Sequence, residues 1–236
     1  MPLFEELLRR RRARSGDDHP DTFTAAFNLG VNYRDAGRLQ EAAAVFDEWL
    51  PQAAAKFPPG QPPLPFGRQA AVDTYTRAGR HDKAVPLLGE AVAAARQQAK
   101  PGDPRLAVAL AQLGGALLKV AKPAEAASAL RECLALREKN EPGGWTTFNA
   151  KSLLGEALVG QKKHAEAEAL LLAGYRGLKE RQDKIPPPVR RQRLEEALGR
   201  LVQLYDATGR KDEAAKWRKE LEAGRAAGRP EKAAGP

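Results

Sequence analysis

An alanine that recurs about every 42 residues constrains this chain more than any other feature of its sequence. It stands at Ala42, Ala84, Ala126, Ala167 and Ala214, so the steps are 42, 42, 41 and 47 residues. Similar residues precede it, as in Gly-Arg-Leu-Gln-Glu-Ala and Gly-Arg-Lys-Asp-Glu-Ala. Five matches at nearly constant spacing indicate an internal repeat, and a period of this length predicts an array of stacked supersecondary units.

Residues 28–46 show what one unit contains. A first helix carries Gly30 and Tyr33, a short turn follows, and a second helix carries Ala42 and Phe46. The last two are four residues apart and therefore share one helix face. Small residues at positions 30 and 42 allow the two helix backbones to approach, while the aromatic side chains fill the seam. The unit is therefore predicted to be a helix pair, and the whole chain to be all-α.

The residues of this unit are typical of a known family. Leu-Gly-x-x-Tyr followed by Ala-x-x-x-Phe resembles a tetratricopeptide repeat, although the usual period of that repeat is 34 residues. The longer step resembles the kinesin-light-chain type, whose helices are joined through a His-Pro-Asp-Thr turn, and that turn stands intact at residues 19–22. Pro20 should end the preceding helix, and Asp21 or Thr22 should cap the next one. The resemblance implies a right-handed α-solenoid.

The same register predicts the domain organisation. Phe4 and Phe46 are again 42 residues apart, so residues 3–14 are predicted to be a leading half-repeat, the second helix of a pair. Small, polar and Gly/Pro-rich residues predict a disordered tail. The solenoid is expected over residues 1–223, with five helix pairs at about 22–57, 66–98, 104–140, 145–182 and 189–223, and the tail at 224–236.

The C-terminal part of the chain carries a second resemblance. The stretch from Cys133 to Gln182 is similar to the repeat tails of planctomycete-type serine/threonine kinases. This implies that the chain is a fragment or relative of a kinase-associated repeat region, in bacterial signalling.

Catalytic and cofactor motifs are missing from the sequence. It has no Gly-rich phosphate loop and no Gly-x-Ser-x-Gly elbow, and its three histidines show no metal-ligand spacing. No enzyme activity, metal or cofactor is therefore expected. The single cysteine, Cys133, fits a reducing compartment, and no apolar run reaches the ~18 residues that cross a bilayer. A cytoplasmic protein without membrane insertion is predicted.

The resemblance also implies which side chains face a ligand. In such repeats the first helices line a concave groove, and Asn28 is a suitable ligand residue because its amide both donates and accepts. A carboxylate-binding groove of the chaperone type is not expected, since Val31, Asp73 and Gly115 stand at one of its required places. The predicted groove residues are Phe27, Asn28, Val31, Arg34, Gln69, Asp73, Arg77, Gln112, Lys119, Asn149, Ser152, Glu156, Arg200 and Gln203.

Two functions from different classes remain open at this point. The first is a non-catalytic scaffold that binds a peptide or a partner protein of unknown identity in the groove. The alternative is a basic helical-repeat protein that binds nucleic acid, because the net charge is +9 and four arginines stand together at residues 9–12. Nucleic-acid binding would require a continuous stripe of Arg and Lys, whereas the predicted groove carries charges of both signs.

Overall fold

Helices make up nearly all of the described chain. The computed structural model describes residues 2–17, 19–58, 60–98, 100 and 102–227, and these contain eleven α-helices, one short 3-10 turn and no β-strand. The predicted all-α class is confirmed. The helices are α1 (Pro2–Ser15), α2 (Pro20–Asp35), α3 (Leu39–Lys56), α4 (Leu64–Arg77), α5 (His81–Gln98), α6 (Pro104–Lys119), α7 (Pro123–Asn140), α8 (Trp145–Gly160), α9 (His164–Glu180), α10 (Pro187–Ala207) and α11 (Lys211–Ala227).

The chain divides into two compact units. Unit 1 spans Met1–Gly89 and unit 2 spans Glu90–Pro236, so the division falls inside α5. α11 continues through residues 224–227, the beginning of the predicted disordered tail, while residues 228–236 lie outside the described part. The domain bounds given above stay predictions.

Unit 1 is built by successive packing of α1 on α2, α2 on α3, and α3 on α4. α2 and α3 approach closely at Gly30 of α2, where a Cβ atom would lie only 3.0 Å from the Phe46 ring. Phe46 is fully buried, so the small residue and the aromatic ring fill the seam together. The Trp49 indole adds a hydrogen bond of 3.0 Å from Nε1 to the Phe23 carbonyl.

Unit 2 repeats this packing. α6 packs on α7, α8 on α9, and α10 on α11, and α7 and α9 also contact the first helix of the next pair. A Cβ atom at Gly114 would lie 2.5 Å from Leu130 Cγ, and one at Gly155 would lie 2.5 Å from Leu171 Cγ. The repeat register therefore places the same kind of contact in successive pairs.

The prediction that Asp21 or Thr22 caps α2 was wrong. Pro20 is the first residue of the helix, and the residue before it, His19, accepts a hydrogen bond from the Asp21 backbone N–H through its Nδ1 atom. Asp103 caps α6 in the same way, accepting from the Arg105 N–H at 2.9 Å. The X-Pro sequence thus puts the cap before the proline, because proline is tolerated at the first helical position.

None of the helices in the described residues is long and apolar enough to cross a lipid bilayer.

Candidate functional site

In unit 1 the predicted groove residues lie on α2 and α4, the first helices of two successive pairs. We call this set the unit 1 face: Phe27, Asn28, Val31, Arg34, Gln69, Asp73 and Arg77. Asn28, Gln69 and Arg77 are exposed, whereas the other four are half-buried. The face therefore presents three polar side chains to solvent.

The polar side chains of the unit 1 face differ in how far they already have partners within the chain. The Gln69 amide donates to Asp73 within α4 at 3.0 Å. Arg34 pairs with its neighbour Asp35 at 2.9 Å. The side chains of Asn28 and Arg77 make no hydrogen bond or ion pair in the described part of the chain. An amide and a guanidinium are thus available for a ligand.

In unit 2 the predicted residues lie on α6, α8 and α10. We call this set the unit 2 face: Gln112, Lys119, Asn149, Ser152, Glu156, Arg200 and Gln203. Gln112, Lys119 and Gln203 are exposed, but Ser152 and Arg200 are buried. Only part of this set can therefore meet a ligand.

The structure brings three residues of the unit 2 face together. The Arg200 side chain is only 10% exposed, and its Nε donates to Glu156. Its Nη1 donates to the Ser152 hydroxyl at 3.2 Å, and Glu196 lies 3.8 Å from Nη2. Because Ser152 and Glu156 are on α8, the buried guanidinium links α10 to α8 by hydrogen bonds. These three side chains are engaged with each other, which leaves them less free to bind a ligand.

A recurring polar contact joins successive helix pairs, and the sequence alone did not reveal it. The Tyr33 hydroxyl donates to Glu5 at 2.7 Å, and the Arg38 guanidinium also contacts Glu5 and covers the Tyr33 ring, 4.3 Å from its centre. Tyr75 repeats the arrangement with a carboxylate from the preceding pair. We call this arrangement of tyrosine, carboxylate and arginine the tyrosine clamp; its copies are Tyr33–Glu5–Arg38, Tyr75–Asp47–Arg80 and Tyr205–Glu168–Arg210.

Each tyrosine clamp depends on the turn that follows its first helix. The arginine stands five residues after the tyrosine, and its backbone N–H donates to the tyrosine carbonyl, as from Arg80 to Tyr75 at 2.8 Å. The residue before the arginine has a left-handed backbone and is a glycine, such as Gly79 with φ +75°. The middle turns lack the clamp: Leu117 and Leu158 replace the tyrosine. In the sequence, the signal for a tyrosine clamp is a tyrosine followed four residues later by Gly-Arg.

The clamps shift the pKa values of their members. Burial, and then the hydrogen bond to Asp47, raise the pKa of Tyr75 above its usual range. Burial opposes ionisation of Asp47, but the hydrogen bonds from Arg80 and Tyr75 prevail and lower its pKa. A related contact at the other end of the chain joins Tyr175 to Glu220, where burial and this carboxylate raise the pKa of Tyr175 to about 12.

The arginine run on α1 is largely paired within unit 1. Arg9 and Arg10 both contact Glu6, at 2.7 and 2.6 Å. Arg11 pairs with Asp21, and Arg12 pairs with Asp17 and Glu48. The run is therefore not a stripe of free positive charge.

No group of three or more His, Cys, Asp or Glu side chains in the described residues is arranged to hold a metal ion. Cys133 is a free, buried thiol whose Sγ donates to the Ala107 carbonyl at 3.2 Å. Burial raises its pKa, which disfavours the reactive thiolate.

Comparison with a family model gives a match over just over half of the chain, from α1 to α7. The model of the tetratricopeptide repeat matches residues 2–53 and 71–139. No curated protein sequence matches the chain significantly.

Several solved structures share the fold. Two crystal structures of a Podosopora anserina protein, described as a kinesin light chain with nearly identical TPR-like repeats, superpose with TM-scores of 0.63 and 0.60, both at 19% identity. They cover 88% of this chain and 96% and 97% of theirs. BtubC (BKLC) from P. vanneervenii gives 0.61 at 18% identity, covering 99% of this chain and 92% of its own. At these identities the likeness shows the fold, and it confirms the predicted solenoid of kinesin-light-chain-like repeats. The kinase-tail resemblance has no counterpart here and stays a prediction.

Proposed function

Since the chain belongs to the tetratricopeptide repeat family, we propose that it is a non-catalytic scaffold that binds a peptide or partner protein on its first helices. Repeats of this family are commonly protein-interaction scaffolds without catalytic activity. The observation that carries the proposal is the unit 1 face, where Asn28 and Arg77 are exposed and have no partner in the described residues. A bound peptide backbone needs donors and acceptors of this kind, because its buried amides lose water.

We also propose a cellular compartment for the protein and an association with a kinase. A single, free and buried cysteine supports a reducing compartment such as the cytoplasm of a bacterial cell. The association with a kinase rests on the sequence resemblance of the C-terminal part alone.

The pairing of the arginine run favours a protein ligand over nucleic acid. Non-specific affinity for nucleic acid comes from Lys and Arg side chains that neutralise phosphates. Arg9 to Arg12 already contact carboxylates of unit 1, so phosphates would have to compete with them. The exposed groups of the two faces are amides and single cations rather than a continuous basic stripe.

The experiment begins with a partner isolated by pull-down with the full chain, followed by titration against variants. We expect Asn28→Ala and Arg77→Ala to weaken binding about 5- to 150-fold, because loss of one buried hydrogen-bond partner removes ~1–3 kcal/mol. Lys139→Ala, which removes an exposed cation from the second helix α7, is the matched control and should bind normally.

Two outcomes would argue against the proposal. Normal binding by both face variants, together with loss in Lys139→Ala, would move the ligand to another surface. A steep fall of affinity with added salt, with a nucleic acid as the captured partner, would favour the alternative function.

A further inference from the structure

A buried arginine of unit 2 has no hydrogen-bond partner for part of its guanidinium. The Arg137 side chain on α7 is only 8% exposed, and its Nε and Nη1 atoms are buried without a hydrogen bond to any described residue. Its equivalents in the repeat register are Ala53 of α3 and Leu178 of α9, and both are fully buried. An arginine therefore occupies a core position, where a cation without hydrogen bonds is costly.

The polar neighbours of Arg137 leave this cost largely in place. Glu141 Oε1 lies 3.7 Å from Nη1, which supplies charge but exceeds hydrogen-bond distance. The Cys133 thiol, one turn earlier, donates its own proton to the Ala107 carbonyl, and thiol sulfur is a weak acceptor. The Glu141 carboxylate is 45% exposed and accepts no hydrogen bond from the described residues, so its side chain is free to turn towards solvent.

The first turn of α8 lies next to this guanidinium. Glu141 Oε2 would be 2.8 Å from a Cβ atom on Gly144, the residue that precedes α8, while Oε1 of the same carboxylate faces Arg137. The register agrees, because Ala53 of α3 belongs to one core cluster with Leu64, the first residue of α4. Arg137 therefore points towards the beginning of the helix that follows its own pair.

α8 begins with more unpaired donors than the other first helices. α2, α4, α6 and α10 each have proline in one of their first two positions, and α2 and α6 also have a side-chain cap. α8 has neither, since it starts with Trp145 and Thr146 after Gly144. The N–H groups of Trp145 and Thr146 have no acceptor in the described residues, and the Thr146 hydroxyl oxygen is buried without a partner there. The positive end of this helix is therefore open to an anion.

We propose that the beginning of α8 is a binding site for a phosphate-type oxyanion. The Arg137 guanidinium and the N–H groups of Trp145 and Thr146 would donate to it once the Glu141 side chain turns away. A planar guanidinium and the N-terminal amides of a helix both suit the oxygens of a phosphate. The site is separate from the peptide ligand proposed for the unit 1 face, and each can fail without the other.

Two further observations favour an anion at this place. Asp103, which is equivalent to Gly144, puts a carboxylate at the beginning of α6 and accepts from the Arg105 N–H at 2.9 Å. An anionic oxygen therefore already occupies the same position in another pair. The Arg181 guanidinium also reaches the turn before α8, where its Nε donates to the Gly143 carbonyl at 2.9 Å. The oxyanion is either free phosphate or the phosphoryl group of a modified partner, since both present the same oxygens.

The test is calorimetric titration of the full chain with inorganic phosphate, with chloride keeping the ionic strength constant. Arg137→Leu, which introduces the side chain that α9 has at Leu178, should weaken phosphate binding about tenfold or more, because charged hydrogen bonds are lost. Its melting temperature in phosphate-free buffer should equal or exceed that of wild type, because an unpaired buried charge is removed. Arg131→Leu is the matched control, since Arg131 is 50% exposed on the same helix, and it should bind as wild type does.

Glu141→Gln provides a second, independent variant. Its neutral side chain no longer competes for Arg137, so phosphate binding should strengthen about three- to tenfold. On wild type, the amide NMR signals of Trp145 and Thr146 should shift most when phosphate is added. An alanine peptide with one central phosphoserine separates the two sources of the oxyanion. Binding as tight as that of inorganic phosphate supports a modified partner, and weaker binding supports the free ion.

The remaining outcomes decide against the site. No phosphate binding to wild type, or equal phosphate affinity of wild type and Arg137→Leu, would overturn the proposal. Amide shifts that are largest along the arginines of α1 would also overturn it, because the ion would then meet only surface cations. If Arg137→Leu melts early, Glu141→Gln decides: tighter phosphate binding upholds the site, and unchanged or weaker binding rejects it.

Discussion

The tyrosine clamps show how single residues fix the spacing between helix pairs. Each phenol donates to a carboxylate of the preceding pair, and each arginine neutralises that carboxylate while covering the ring. The tyrosine of each clamp is buried, and its hydroxyl would be costly to leave unpaired, so the carboxylate stabilises the fold by accepting its hydrogen bond. The middle turns replace them with Leu117 and Leu158 and depend on apolar packing instead.

The middle turns carry backbone strain that glycine would relieve. Ala121 has φ +55° and Lys162 has φ +60°, in the left-handed region that disfavours residues with a Cβ atom. We expect Ala121→Gly to stabilise the chain by about 1 kcal/mol in urea unfolding, because that penalty disappears. The reverse change Gly79→Ala, at φ +75°, should destabilise by a similar amount. A lower stability for Ala121→Gly would show that the turn is unstrained.

Tyr175 gives the protein an alkaline limit. Folding raises its pKa from 10.0 to about 12, so the folded state holds the phenol proton more tightly than the unfolded state. The resulting stability is fully present below pH 10 and is lost as the pH rises from 10 towards 12. Urea unfolding between pH 8 and 11.5 should therefore show a steeper loss for wild type than for Tyr175→Phe, which at pH 8 is less stable by about 1 kcal/mol. If the free energies of unfolding of wild type and Tyr175→Phe fell in parallel with rising pH, Tyr175 would not be the source of this pH dependence.

At the scale of the helix pair, close approach decides which residues are allowed. α9 meets α8 so closely that a Cβ atom at Gly177 would lie 2.0 Å from the Phe148 ring. At Gly174 the nearest atom is backbone, the Ser152 nitrogen at 2.8 Å. A side chain there cannot be accommodated by a rotamer change, so the glycine sets the distance between the two helices.

Gly174→Ala should therefore destabilise unit 2. We expect a loss of about 1–3 kcal/mol in chemical unfolding, because the helices must move apart. Gly199→Ala in α10 is the matched control: its Cβ atom meets nothing within 4 Å, and alanine should stabilise that helix by about 0.5–1 kcal/mol. If Gly174→Ala and Gly199→Ala changed the free energy of unfolding in the same direction, helix propensity rather than packing would determine stability at these sites.

The sequence predicted the helix pairs because their seams demand small residues at fixed places, and Gly30 and Gly114 mark that register. The clamps were not predictable in the same way. Their carboxylates come from the preceding pair, and Glu168 stands one helical turn earlier than the place that Asp47 occupies. Arg200 had the right helix and register for a ligand residue, but only side-chain geometry could show that it pairs with α8.

In a repeat array, a destabilising substitution should affect only the adjacent repeats, because each repeat contacts only its neighbours. Ala126 is fully buried in α7, so Ala126→Leu should overpack that seam. Amide hydrogen exchange should show lost protection in α6, α7 and α8, with much smaller changes in α11. A uniform loss from α6 to α11 would mean that unit 2 unfolds as one cooperative body.

The tyrosine clamps also bear on how the chain acquires its structure during synthesis. The hydroxyls of Tyr33 and Tyr75 each reach a carboxylate only 28 residues earlier in the chain. A growing polypeptide therefore has both halves of such a contact soon after the later residue leaves the ribosome, without waiting for distant segments. Contacts that are local in sequence close quickly, so each new helix can be captured by the pair made just before it.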